Sequence, residues 1–117
     1  MMTTLDLQNH IRRDPGHWVV SLMDFVDDVR HAKNPKAFAG PFHSRDEKLN
    51  ALVAAVVESL CAELRLAPPA WVEKTPASRE PWFVSGLQNL KAIALVESPL
   101  PFRRRKIFVL ENFLQRV

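Results

Sequence analysis

Apolar side chains recur at helical spacing in several stretches of this chain, and prolines separate the stretches. The clearest runs through Leu49, Leu52, Val53, Val56, Val57, Leu60 and Leu64, which share one face over four turns. Ahead of it, Ser44 with Glu47 three residues later is the pattern of a capping box, so a helix over about 45–65 is predicted as the central element. A second stripe, Trp18, Leu22, Phe25, Val26 and Val29, with Asp24, Asp27 and Asp28 off it, predicts an amphipathic helix from about 15 to 32. Asp14 is placed to cap that helix, and Pro15 suits its first turn, where no donor is needed. A shorter helical candidate around Leu5 and Ile11 ends at Pro15.

The connections follow from proline and glycine. Asn34-Pro35 stops the second helix, and Ala37 to Phe42, with Gly40-Pro41, reads as a connector anchored by Phe38 and Phe42. Pro68-Pro69 ends the central helix. Ala70 to Pro81, with Trp71 and Trp82 at its margins, reads as an ordered loop, because each indole offers a large area for burial. A further helix is expected from Ser85 or Gly86 to Val96, with Leu87, Leu90, Ala94 and Ile93 inward, closed by Ser98-Pro99-Leu100-Pro101. Beyond it, Ile107-Phe108-Val109 favours an extended conformation and Glu111 to Arg116 favours helix. The expected fold is all-α: one domain over residues 1–117, a compact bundle of three to five helices with a long ordered Pro/Trp loop and room for a short extended C-terminal segment. Trp18, Phe25, Leu52, Val56, Leu60, Leu90 and Leu95 are expected in its core.

Composition changes this picture little. Hydrophobic residues at 47% and charged residues at 25% suit a packed domain and argue against disorder. One cysteine, Cys61, forms no internal disulfide, and the N-terminal residues lack the basic and apolar regions of a secretion signal, so a cytoplasmic location is expected. The longest strongly apolar stretch, Ala51 to Val57, is far short of the roughly 20 residues needed to span a bilayer. Charge is uneven: residues 78–117 hold seven Lys/Arg against three Glu, leaving +4 there and −1 over residues 1–77. A local positive field attracts acidic surfaces or phosphates.

The Arg103-Arg104-Arg105-Lys106 run carries most of that excess. It reads either as a solvated face near a helix end or as a contact for phosphates or an acidic partner, which guanidinium groups engage in bidentate fashion. Trp82, Phe83 and Phe102 lie close to prolines and to this run, and tryptophan and arginine are the types most enriched at interface hot spots. Together Trp82, Phe83, Phe102, Arg103, Arg104, Arg105 and Lys106 form the candidate partner-binding set, against the plainer reading that the aromatics close the core. No metal or cofactor is implied. His10, His17, His31 and His43 are dispersed without ligand spacing, and Gly16, Gly40 and Gly86 are isolated rather than grouped in a phosphate-binding loop. Cys61 on an apolar face reads as a small buried hydrophobe, and the three aspartates as a solvated helix face.

Two resemblances add to this. Arg12 and His17, with four residues between them, are similar to the Arg-x4-His arrangement of helical HEPN ribonucleases, although Asp14-Pro15-Gly16 interrupts the spacer here. The last third, Pro81-Trp82-Phe83 through Leu95-Val96-Glu97-Ser98-Pro99 to Phe102-Arg103-Arg104-Arg105 and Ile107-Phe108-Val109, resembles a family of small uncharacterised bacterial proteins. That resemblance implies a partner protein, nucleotidyltransferase-like, in the manner of a toxin–antitoxin or regulatory pair, and transfers no catalytic residue. The reading that results is a non-enzymatic, antitoxin-like interaction module that binds a partner protein. The alternative is a nucleic-acid-binding protein or ribonuclease using the basic C-terminal run.

Overall fold

The first helix, α1 (Thr4–Arg13), is capped at Thr3, two residues ahead of Leu5. The Thr3 hydroxyl accepts the Asp6 N–H at 3.2 Å and the Asp6 carboxylate accepts the Thr3 N–H at 3.0 Å, a reciprocal box that satisfies two donors the helix start leaves free. Hydrogen bonding from the Thr3 backbone first, and then from the Thr3 side chain, holds the Asp6 carboxyl below its ordinary value. In the computed structural model of the chain, residues 1–84, 94–95, 97–110 and 113–114 are described.

Pro15–His17 form a single 3-10 turn, and α2 (Trp18–Ala32) follows. Asp14 does not cap it as expected, because its carboxylate turns to the His17 ring, with Oδ2 2.8 Å from Nδ1. A carboxylate only accepts, so Nδ1 carries the proton in this contact. The predicted stripe is buried at Leu22, Phe25, Val26 and Val29, whereas Trp18 is half-buried and packs against the margin of the core. Lys33, in the left-handed region at φ 51°, closes α2 by donating its N–H to the Val29 carbonyl. Phe38 and Phe42 anchor the connector as expected, both buried, and the Trp71 indole N–H donates to the Phe38 carbonyl at 2.9 Å.

Helix α3 (Glu47–Leu64) is the central element, but Ser44 and Glu47 do not form its cap. Asp46 is the N-cap residue, and its Oδ1 accepts the N–H groups of Lys48 and Leu49 at 3.0 and 3.3 Å. Ser44 instead bonds the Asn50 side chain, and Glu47 reaches Arg79. Burial on α3 extends beyond the predicted stripe to Ala51, Ala54 and Ala55, because α2 packs on one side and later elements pack on others. The helix ends at Arg65, φ 58°, with the Leu66 N–H on the Cys61 carbonyl at 2.8 Å.

The expected Pro/Trp loop contains a short helix, α4 (Ala70–Lys74), whose Val72 is fully buried. The chain then reaches β1 (Trp82–Phe83), which pairs in parallel with β2 (Ile107–Phe108), Trp82 opposite Ile107 and Phe83 opposite Phe108. The extended segment expected at Ile107-Phe108-Val109 is therefore present as a two-residue strand, and its partner was not foreseen. Between them lies α5 (Leu100–Arg103), with Pro99 at its N-cap position, so the proline pair that punctuates the chain also starts a helical turn. Lys106, at φ 61°, redirects the chain into β2.

The helix predicted over 86–96 lies mostly outside the described residues, as do Leu87, Leu90 and Ile93 and most of Glu111 to Arg116. Ala94 is buried as predicted, but Leu95 is 47% exposed rather than in the core. Successive helical residues lie about 100° apart around the axis, so an inward Ala94 turns Leu95 outward. The architecture is predominantly helical, with one hydrophobic cluster joining α1, α2, α3, α4, α5 and β2. No helix among the described residues is long and apolar enough to cross a membrane.

Candidate partner-docking cleft

The candidate partner-binding residues fall into different environments. Phe102 is fully buried, packed edge-on against Phe113 with ring centroids 6.2 Å apart. Arg105 is 4% exposed. Its guanidinium donates to the Pro101 carbonyl at 2.9 Å, to Glu58 Oε1 at 3.1 Å and to the Val72 carbonyl at 3.2 Å, so it ties α5 and the following turn to α3 and α4. Arg104 is exposed and also pairs with Glu58, in the middle of α3. Arg103 is exposed and donates to the Ser98 carbonyl at 2.8 Å, while Lys106 is exposed in the tight turn before β2. The four cations are contiguous in sequence and are not contiguous as a surface. The turn that carries them aims one inward and holds two others on protein acceptors.

The ladder β1/β2 sets the aromatic residues. The Trp82 N–H donates to the Lys106 carbonyl at 2.9 Å, and the Val84 N–H to the Phe108 carbonyl at 3.1 Å. Phe83 stacks on Phe108, the cross-strand neighbour on the same face, at 5.0 Å and 22°. Trp82 meets Trp18 of α2, centroids 5.6 Å apart and planes at 46°, within the range of favourable aromatic contacts. Both indoles are half-buried.

That pair marks one wall of a half-open cleft of about 880 Å³. The apolar floor comes from Ile11 of α1, Phe42 of the connector and Leu49 of α3, all buried; Pro15 adds the lip of the 3-10 turn. The polar rim comes from Gln8 and Arg12 of α1 and from His43, Ser44, Arg45 and Asp46 before α3. Several of these groups are already engaged. Gln8 Oε1 accepts the His43 N–H at 3.0 Å, and Asp46 caps α3. Arg12 and Arg45, both exposed, make no side-chain hydrogen bond or ion pair among the described residues.

Of the residues lining this cleft, only Trp82 belongs to the partner-binding set expected from the sequence. A tryptophan at the start of α2, a connector phenylalanine and two arginines from separate elements share no local pattern. The one available signal was an amphipathic helix opening on a tryptophan. Arg12 and His17 are not brought to a common site: Arg12 lines the cleft, whereas His17 sits on Asp14 in the exposed 3-10 turn and is not part of the lining. Cys61 is buried, and burial, followed by the nearby Glu58, pushes its thiol up to about 11. Among the described residues no three His, Cys, Asp or Glu side chains gather as metal ligands do. No protein-family description matches the chain, and no curated protein or solved structure matches it significantly.

Proposed function

We propose that this chain is a non-enzymatic, antitoxin-like interaction module that docks a partner protein in the Trp18–Trp82 cleft. The resemblance of its C-terminal third makes a nucleotidyltransferase-like protein the partner of choice. The observation that carries this reading is a concave site in which two half-exposed tryptophans stand over an apolar floor, with two arginines on the rim that have no partner among the described residues. Aromatic anchors in desolvated pockets with arginine beside them are the composition of interface hot spots.

The nucleic-acid alternative draws less support than the sequence suggests. With Arg105 internal and Arg104 held by Glu58, at most three of the four cations face outward, and a log–log salt slope near −3.6 for four phosphate contacts becomes about −2.7 or shallower.

Charge reversal of Arg105 is uninformative, because a buried glutamate beside Glu58 unfolds the chain whatever the residue does for binding. The informative variants are Arg12→Glu with Arg45→Glu, at exposed positions without side-chain partners among the described residues. Affinity capture from the native host should recover a specific protein with the wild type and lose it with this variant at unchanged melting temperature. Retention of that protein by the variant, or loss with Arg103→Glu and Lys106→Glu instead, removes the cleft as the docking face.

A further inference from the structure

The cleft's polar groups are unequally available, and that inequality specifies what fits. The Asp46 carboxylate is engaged by two N–H groups of α3, and the Gln8 carbonyl oxygen by the His43 N–H. The two guanidinium groups on the same rim make no bond among the described residues, in contrast to Arg30 on Glu63, Arg79 on Glu47, and Arg104 and Arg105 on Glu58. The two guanidinium groups outnumber the one carboxylate of the rim, Asp46, whose Oδ1 already takes two N–H groups, so the rim is net positive and complementary to anions. The floor is apolar, and Trp18 and Trp82 touch one another at an angle of 46°, which leaves no parallel slot between the rings for an intercalated base. A cleft of about 880 Å³ is several times the volume of one side chain, so it admits an anchor together with the backbone on either side of it.

Resting on the partner-protein reading above, we propose that the occupant is a peptide segment of the partner that carries one large apolar side chain flanked by carboxylates. The apolar group seats against Trp18, Trp82 and Ile11, and the carboxylates engage Arg12 and Arg45. Binding by such a segment is salt-dependent, because the rim contacts are exposed, but it retains an apolar component that salt does not screen.

The three tryptophans supply the test. Indole N–H signals in ¹⁵N-resolved NMR report Trp18 and Trp82 in the cleft, while Trp71, outside the lining and bonded to the Phe38 carbonyl, serves as an internal reference. The probe is a synthetic peptide with one phenylalanine between aspartate and glutamate residues. Its addition is expected to shift the Trp18 and Trp82 signals saturably and leave Trp71 in place. Replacing its acids by Asn and Gln is expected to weaken binding roughly two- to thirtyfold, the effect of losing the charge from two exposed ion pairs. Arg12→Gln with Arg45→Gln should do the same. Equal binding of the acidic and neutral peptides overturns the proposal, as does a single-stranded oligonucleotide that moves the same two indoles more tightly than the peptide. Host-protein capture lost with Arg12→Glu and Arg45→Glu, without any peptide-induced shift, overturns this occupant and leaves docking in the cleft standing. Capture retained by that variant overturns both.

Discussion

Replacing Arg105 by methionine isolates what the buried guanidinium contributes, since methionine keeps the length and apolar contacts of the stem. Three acceptors lose a donor: the carbonyls of Pro101 and Val72 and the carboxylate of Glu58. A buried acceptor left without a partner costs roughly 1–3 kcal/mol. Severing a buried ion pair costs about 3–5 kcal/mol when the surviving charge is left alone. Here Glu58 keeps Arg104 and retains some contact with water, so the second figure is not reached, and removing the guanidinium also relieves its own desolvation. The balance is a loss of about 2–4 kcal/mol. Urea denaturation followed by far-ultraviolet circular dichroism reads this as a lower midpoint, shifted by on the order of 1–2 M for a domain of this size. Arg103→Ala, at an exposed position, should cost less than about 1 kcal/mol in the same assay. If the two variants are equally stable, or Arg105→Met loses less than about 0.5 kcal/mol, the guanidinium is not the internal tie described above.

Asp46→Ala should cost about 0.5–2 kcal/mol by chemical denaturation, since two first-turn N–H groups lose their acceptor, whereas Glu47→Ala, which breaks a largely exposed pair with Arg79, should cost about 1 kcal/mol or less. The Ser98 hydroxyl accepts the Val109 N–H at 2.9 Å in a buried setting, so Ser98→Ala should lower the melting temperature and speed hydrogen exchange at the Val109 amide; unchanged protection there contradicts the contact. Cys61 should resist a disulfide reagent at pH 8 in the folded chain and react fully in denaturant. Its thiol ionises at a higher pH when folded than when unfolded, so the native state binds more protons between about 9 and 11, and this group's contribution is present below that window and lost as pH rises through it. Cys61→Ala should flatten that part of the stability–pH curve.

The elements legible in the sequence were those written in local periodicity. The stripe from Trp18 to Val29 and the one from Leu49 to Leu64 locate α2 and α3 because each needs only neighbours three and four positions away. The cap of α3 was misread for a reason visible in Ser44-Arg45-Asp46-Glu47, where two acceptors compete for one helix start. Asp46 is placed to take two N–H groups, while Ser44 finds Asn50. The basic run was read as one feature because its members are adjacent in sequence, but Glu58, which sorts them, lies 46 and 47 residues away from Arg104 and Arg105. The cleft was illegible on the same ground. Trp18 and Trp82 meet only because α2 and the β1/β2 ladder are both positioned around α3, and no spacing rule relates residues so far apart.

The parallel ladder between Trp82-Phe83 and Ile107-Phe108 also bears on the order in which the molecule is assembled. Parallel strands cannot be joined by a tight turn, so the chain must travel away and return before the first of those pairs forms. Contacts between α1 and α2 close over short separations, and the entropy of closing a long loop must be met before its pairing contributes anything. Trp82 is therefore expected to reach Trp18 late, in a stopped-flow fluorescence phase slower than helix formation and absent in Trp82→Phe; a single phase shared by both probes would refute this order. A partner that grips both indoles consequently recognises only chains that have finished folding, and a nascent or partly unfolded copy offers it half a binding site.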